Sequence, residues 1–297
     1  MNLMDLNTMF STDAKCRELL VRLRWPEGPR CLRCSMPVVE LETEKQLFYC
    51  KGCDYQFSVT AGTVFNDSHL PLVKWFTATL LLCEAKKGMS ACQIQRTLGI
   101  GSYKTAWYLC HRIRHAMTQT DKPMLDGKVE MDVTYVGGWN RNKGQVGKFD
   151  NKEVVVGIRK RNGDLRFFHA RDAKSGTLAK YIRENISEDV EVIFTDDAAA
   201  NPVAIRKAGK KADHKTIVHS KGSYVVGDVH TNTVESAFSL LKRGILGTWH
   251  RVSAKHLPSY LEEMEFRFNR RNRPDLFIDT LRHMVTAPVL TFEKLTA

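Results

Sequence analysis

Two short cysteine pairs constrain this chain more than any other feature. Cys31-Leu-Arg-Cys34 is followed, after fifteen intervening residues, by Cys50-Lys-Gly-Cys53. Each C-x-x-C turn presents two thiolates together, and two such turns can close a tetrahedron of sulfur around one zinc ion. Four protein ligands leave no open position for chemistry, so the zinc is expected to be structural. Gly52 lies inside the second pair, where a tight turn is expected. Between the pairs, residues 38–41 and 46–49 read as the strands of a hairpin, giving a zinc ribbon that ends near Ser58. So small a unit has little core, and metal binding is expected to drive its folding. The chain has eight cysteines, and the other four, Cys16, Cys83, Cys92 and Cys110, are expected to be ordinary buried residues.

The remainder is far larger than a ribbon. At 297 residues the chain is long enough for about two domains. Hydrophobic residues make up 43% and charged residues 26%, which excludes a wholly disordered chain. The strongest apolar stretch, 76–83, is too short to span a bilayer. Residues 1–10 lack a basic segment and carry Asp5, so no secretory signal is expected. A cytoplasmic protein follows, associated with the nucleoid if bacterial, and without disulfides or membrane partners. Lys and Arg number 45 against 33 Asp and Glu, a net charge of +12. Such a surface attracts polyanions, of which nucleic acid is the commonest.

After the ribbon the periodicity is helical. A helix is expected over 72–86, with Trp75, Thr79 and Leu82 on one side. Ser90 can cap a short helix over 91–98, Gly99-Ile-Gly101 breaks it, and Ser102 can cap a second helix over 103–117. Ala106, Cys110, Ile113 and Met117 form the apolar stripe of that helix. Its other surface carries Lys104, Tyr108, His111, Arg112 and Arg114. A short helix, a glycine turn and a basic helix make a helix-turn-helix pattern; a plain helical hairpin is the alternative. On DNA, Lys104 and Tyr108 would face base edges, and Arg112 and Arg114 would meet phosphates.

Thr120-Asp-Lys-Pro123 reads as a linker, and beyond it strands begin. Residues 129–136, 154–159 and 165–169 read as three strands, the last two joined by the hairpin turn Asn162-Gly163. A basic loop spans 140–152. A helix over 175–185, a strand over 190–195, a helix over 198–207, a strand over 216–219 and helices over 231–243 and 254–270 follow. A three-strand meander feeding α/β units is the order of an RNase H-like fold with a mixed sheet. The expected domains are 1–60 (N-terminal helix and zinc ribbon), 61–122 (helix-turn-helix), 123–275 (α/β catalytic domain) and 276–297 (C-terminal tail).

Three carboxylates stand out in this α/β part. Asp132 lies within its first strand, Asp196 ends the fourth, and Glu235 lies on a late helix. Strands of this order can be neighbours, so the carboxylates can meet. Their convergence is costly unless cations neutralise them. Two Mg²⁺ or Mn²⁺ ions held by such oxygens can activate a water or a 3′-hydroxyl and stabilise a leaving oxygen. Asp197 competes with Asp196 for the second position. Asn232, Glu235, Ser239 and Lys242 share one helix face, with Val234, Phe238 and Leu241 opposite. Lys242 could then point at a phosphate. Eight cations toward the C-terminus, Lys242, Arg243, Arg251, Lys255, Arg267, Arg270, Arg271 and Arg273, face only Glu262, Glu263 and Glu265 before Asp275. They read as a phosphate-binding surface.

Several segments together are familiar. They are Leu23-Arg-Trp-Pro-Glu-Gly-Pro-Arg-Cys31, Gly62-Thr-Val-Phe65, Lys104-Thr-Ala-Trp107 and His111-Arg-Ile-Arg114. Further on come Asp132-Val-Thr-Tyr-Val-Gly-Gly138, His230-Thr-Asn-Thr-Val-Glu235, Leu240-Leu-Lys-Arg-Gly244, Val252-Ser-Ala-Lys-His-Leu257 and Phe266-Arg-Phe-Asn-Arg-Arg271. From about residue 3 to 275 the chain resembles insertion-sequence DDE transposases of the ISXO type, built from a zinc ribbon, a helix-turn-helix and an RNase H-like catalytic domain. The resemblance implies a DNA transposase that binds terminal inverted repeats, cleaves and joins double-stranded DNA with Mg²⁺, and pairs two element ends as a homo-oligomer. It matches Asp132 to the first acidic residue and Asp196 to the second. Glu235, seven residues before Lys242, takes the third, with Asn232 as a supporting or alternative ligand. Two departures stand out: Val133 where the family often has an acid, and Asp197-Ala-Ala-Ala-Asn201 where it often has an aromatic-containing stretch. A domesticated or decayed copy that only binds DNA, or a nuclease that hydrolyses without joining, are the rival readings.

Overall fold

A computed structural model describes residues 1–41, 46–137, 152–217 and 230–297. The basic loop expected over 140–152 (apart from Lys152), Gly138, and the strand end at 218–219 lie outside the described residues. The chain forms two compact units, Met1–Thr118 with Asn272–Ala297, and Gln119–Arg271.

The first unit begins with α1 (Leu3–Met9) and α2 (Asp13–Arg24). Asn2 and Asp5 form a capping box that satisfies the first free amides of α1. Three two-residue strands follow, β1 (Val39–Glu40), β2 (Phe48–Tyr49) and β3 (Gln56–Phe57), in one antiparallel sheet. The first two fall within the expected hairpin; β3 is too short for alternation to reveal. Trp25, Phe48 and Phe57 form the ribbon's small core, with ring centroids 5.4, 6.1 and 5.7 Å apart.

Next come α3 (Leu72–Glu84), α4 (Ala91–Thr97) and α5 (Tyr103–Met117). Ser90 caps α4 as expected, its hydroxyl accepting from the Gln93 amide at 3.2 Å. Ser102 occupies the same position before α5 but makes no side-chain cap bond. Gly99, at φ +57°, takes the left-handed turn that ends α4. Of the four cysteines outside the ribbon pairs, Cys16, Cys83 and Cys110 are buried as expected, whereas Cys92 is exposed on α4.

The second unit carries a five-stranded mixed sheet of β4 (Leu125–Val136), β5 (Glu153–Lys160), β6 (Leu165–Ala170), β7 (Ile186–Asp196) and β8 (Asp213–Ile217). Its order is β6-β5-β4-β7-β8. The first three form the antiparallel meander, and β7 and β8 add in parallel, the RNase H-like order. Asn162, at φ +59°, makes the expected hairpin turn. Helices α6 (Ser175–Asn185), α7 (Ala200–Ala208), α8 (Asn232–Gly244) and α9 (Leu257–Arg270) complete the unit, with a π-helical turn, Ile245–Trp249, after α8.

Strand alternation divides this sheet into two faces. Val129 and Met131 belong to a core with Leu178 and Ile182 of α6 and Ala204 and Ile205 of α7. Val136 belongs to the opposite core, with Val234, Phe238 and Leu241 of α8 and Leu257 and Leu261 of α9. The apolar side expected for α8 is therefore the one it buries. Gly157 on β5 pairs directly with Asp132. A Cβ there would lie 2.7 Å from Phe238 Cζ and 2.8 Å from Val234 Cγ2, so only glycine admits α8 this close.

The chain ends with α10 (Leu276–Thr286) and α11 (Phe292–Thr296). The sequence presents residues 276–297 as a tail, but they belong to the first unit. Phe277 packs with Phe10 and Phe76, with centroids 6.4 and 5.9 Å away, and Leu281 and Met284 are fully buried. Spacing at i, i+4 and i+7 places these residues on one buried helix face.

Candidate metal centre and candidate active site

The four ribbon cysteines converge. Their sulfurs all lie within 4.8 Å of one another, with Cys31 Sγ 3.6 Å from Cys53 Sγ and Cys34 Sγ 3.3 Å from Cys50 Sγ. Tetrahedral zinc with Zn–S bonds of about 2.3 Å separates its sulfurs by about 3.8 Å, so the set fits zinc. The bends that aim these thiols come just after each pair: Ser35 and Asp54 both take left-handed backbone, φ 60° and 53°. Gly52, the expected turn residue, is not one of the left-handed positions. Burial raises the Cys31 thiol, but hydrogen bonds from the Cys34 and Arg33 amides and neighbouring thiols outweigh it and bring it to about 6. Burial and the other three thiols push Cys53 up to about 12. The Cys31 sulfur thus gives up its proton readily while Cys34 and Cys53 hold theirs, and a bound cation would relieve that competition.

The three carboxylates lie on elements that meet on the α8 side of the sheet. Parallel pairing of β4 with β7 runs through Val129↔Ile193 and Glu130↔Phe194. Asp132 and Asp196 each stand two residues beyond that last pair, and strand alternation puts both on the same face. Asp197 lies beyond the end of β7 and is exposed. Glu235 sits in the first turn of α8, half-buried like Asp132 and Asp196. The carboxylates are not drawn into a ligand cluster: among the described residues, only the four cysteines form a metal-ligand group. Each carboxylate has a local hydrogen bond instead. Asp132 Oδ1 accepts from the Val133 amide at 2.7 Å. Asp196 Oδ1 accepts from Asn201 Nδ2 at 2.5 Å and the Ala198 amide at 3.3 Å. Glu235 Oε1 accepts from Thr231 Oγ1 at 2.7 Å. Asn201, which orients Asp196, lies in the stretch that departs from the family pattern. The oxygen donor set suits Mg²⁺ or Mn²⁺ in kind. Asn232 and Lys242, also on α8, are exposed.

Glu130 belongs to no motif in the sequence. It is fully buried on β4, two residues before Asp132, and hydrogen-bonds the first turn of α8. The available signal was a carboxylate sharing the face of Asp132 in an otherwise apolar-leaning strand.

The expected DNA contacts divide by exposure. Lys104 is exposed, its ammonium 4.2 Å from the Phe292 ring centroid. Tyr108 is half-buried, and its hydroxyl donates to the Leu290 carbonyl. Arg112 and Arg114 are buried, at 3% and 1% exposure, which removes them from phosphate contact in this structure. Arg112 donates to the Asn66 carbonyl and lies over Trp75 and Tyr108, each 5.0 Å away. A helix buried on most of its circumference leaves few positions for DNA, and a basic residue on the wrong side becomes a packing tie. In the basic C-terminal set, Arg267 is buried against Glu263 at 3.0 Å and is likewise no phosphate ligand. Arg243 and Arg271 are exposed, and Arg270 is half-buried over Phe266 at 4.0 Å.

Comparison with known proteins adds independent matches. A family model described as the ISXO2-like transposase domain matches residues 124–269. One described as the transposase zinc-ribbon domain matches residues 11–56. A protein of Halobacterium salinarum described as an uncharacterized protein in transposable element ISH50 is 28% identical over 278 residues, 87% of this chain and 91% of that protein.

Proposed function

Since the chain belongs to the ISXO-type insertion-sequence transposases, we propose that it is the DNA transposase of such an element, and that it cleaves and joins DNA through Asp132, Asp196 and Glu235. The observation that carries this reading is that Asp132 and Asp196 lie on one face of parallel neighbouring strands, with Glu235 on the helix covering that face. Two Mg²⁺ or Mn²⁺ ions held by these oxygens would supply charge neutralisation and lower the pKa of a bound water or hydroxyl. Water attacks the phosphodiester at the element end, and the bond to the departing 3′-oxygen breaks, leaving a 3′-hydroxyl. That hydroxyl then attacks a target phosphodiester and displaces another 3′-oxygen, so one bond forms for each one broken. The protein contributes positioning and charge. Asn232 and Lys242, exposed on α8 at helical spacing from Glu235, would steady the metals and a phosphate.

Double-stranded DNA, at the element ends and the target, is the partner. The zinc ribbon and the α4–α5 pair would recognise the terminal repeats, with Lys104 the most accessible of the expected contacts on α5. Arg243, Arg270 and Arg271 would hold phosphates. A homo-oligomer would pair two ends. A cytoplasmic, nucleoid-associated location suits this work, and no described helix is long and apolar enough to cross a membrane.

The test is strand transfer by purified protein with Mg²⁺ and pre-nicked DNA from the repeats flanking its own gene. Joined products are expected from the wild type and not from Asp196→Asn, which should still bind the ends. Binding with no joining under any divalent ion would instead establish a DNA-binding protein without catalysis. Hydrolysis with no joining would establish a nuclease.

A further inference from the structure

We propose that Glu130 is a positioning residue of this site: its buried carboxylate pins the first turn of α8 to β4 and so sets where Glu235 stands relative to Asp132. The inference rests on the transposase reading for its consequence and on the geometry for its substance.

A fully buried carboxylate is tolerated only when its charge and lone pairs are satisfied. Both oxygens of Glu130 are satisfied. Its Oε2 accepts from the Thr233 amide at 3.0 Å, the Val234 amide at 3.1 Å and Thr233 Oγ1 at 2.6 Å. Its Oε1 accepts from Arg161 Nε at 2.8 Å, and His230 Nδ1 stands 3.3 Å away. The two amides belong to the free N–H groups that open every helix, where a negative charge is also favoured by the helix dipole.

This capping is not local. Thr231 precedes α8 and could cap it, but it makes no side-chain cap bond; its hydroxyl holds Glu235 instead. The cap comes from a strand residue 103 positions earlier in the chain. A helix that needed only stability could use Thr231. A cap supplied by β4 also fixes where the helix starts relative to that strand.

Arg161 extends the tie. It stacks over Phe194 at 3.9 Å, and its second amino group donates to the His230 carbonyl at 2.8 Å. Glu130 lies two residues before Asp132, Phe194 two before Asp196, and Thr233 two before Glu235. One carboxylate and one guanidinium therefore anchor all three acid-bearing segments at the same short distance along each chain. With these donors around it, Glu130 is occupied as an acceptor and acts through Glu235 rather than touching a substrate.

Glu130→Gln and Glu130→Ala in the full-length protein test this. The readouts are amide exchange across α8, Mn²⁺ binding by paramagnetic titration, DNA-end binding, and the Mg²⁺ concentration giving half-maximal strand transfer. Folded Glu130→Gln is expected to exchange the Thr233 and Val234 amides about tenfold faster. Its half-saturating Mg²⁺ and Mn²⁺ should rise about tenfold, as when an outer hydrogen bond to a metal ligand is removed. End binding should stay within about twofold, since phosphate contacts are untouched. A residue serving stability alone would lower activity at every Mg²⁺ concentration without moving the midpoint. Unchanged metal midpoints in folded Glu130→Gln, or unchanged exchange at α8, would overturn the proposal, and should Glu130→Ala not fold, Glu130→Gln decides. If the wild type joins no ends, the transposase reading fails, while exchange and Mn²⁺ binding still judge Glu130.

Discussion

At the scale of single residues, the site depends on space as much as on charge. Gly157 faces Asp132 across the β4–β5 ladder, and α8 rests on the gap it leaves. Gly157→Ala places a methyl group against Phe238 and Val234, so α8 must lift or its side chains must leave their rotamers. Overpacking of this kind costs about 1–3 kcal/mol. The thermal midpoint should fall, and strand transfer should fall further than the loss of folded protein explains, with end binding preserved. Equal losses in folded fraction and joining would show that helix height does not matter to the chemistry. Neither Gly157 nor Glu130 draws attention in the sequence, because each matters only through a helix about 75 to 105 residues away along the chain.

At the scale of elements, the ribbon and the mixed sheet differ in what holds them. β1, β2 and β3 have two residues each and one aromatic cluster, whereas the second unit has a full hydrophobic core on both faces of its sheet. Zinc removal should therefore act locally. Chelation, or Cys31→Ser, is expected to abolish zinc binding and raise amide exchange across 31–57 while leaving 153–170 protected, because structural zinc supplies much of a ribbon's folding energy. Retained zinc in Cys31→Ser would remove Cys31 from the ligand set. Spacing alone revealed this element, since C-x-x-C pairs carry their geometry in a few residues. The helix over 103–117 was equally legible, but the use of its surface was not. Periodicity finds one apolar stripe; it does not show that a second side is covered by Leu290 and Phe292, far along the chain.

At the scale of the whole molecule, a net charge of +12 describes all 297 residues without saying which cations would meet DNA in the proposed function. Exposure sorts them. Removing one cation that pairs with a phosphate should reduce the slope of log affinity against log salt by about 0.9. Arg243→Ala should show that reduction. Arg112→Ala should instead lower stability and leave the slope unchanged, because its guanidinium is engaged by Asn66, Trp75 and Tyr108. A changed slope in folded Arg112→Ala would mean that α5 turns this residue outward on DNA.

Legible at short range were the zinc ligands in their paired turns, the alternation of β4, the Asn162 hairpin joining β5 to β6, and the two-sided character of α8. The three carboxylates stood out from the strand and helix pattern, and the family resemblance matched them to first, second and third acidic positions. Only the tertiary structure decided that residues 276–297 return to the first unit, that Arg112, Arg114 and Arg267 are packing groups, and that Glu130 caps α8 from another strand. The reason is physical. Local periodicity records which side of an element is apolar, but burial of a charge depends on which distant segment covers it, and that is settled only when the segments meet.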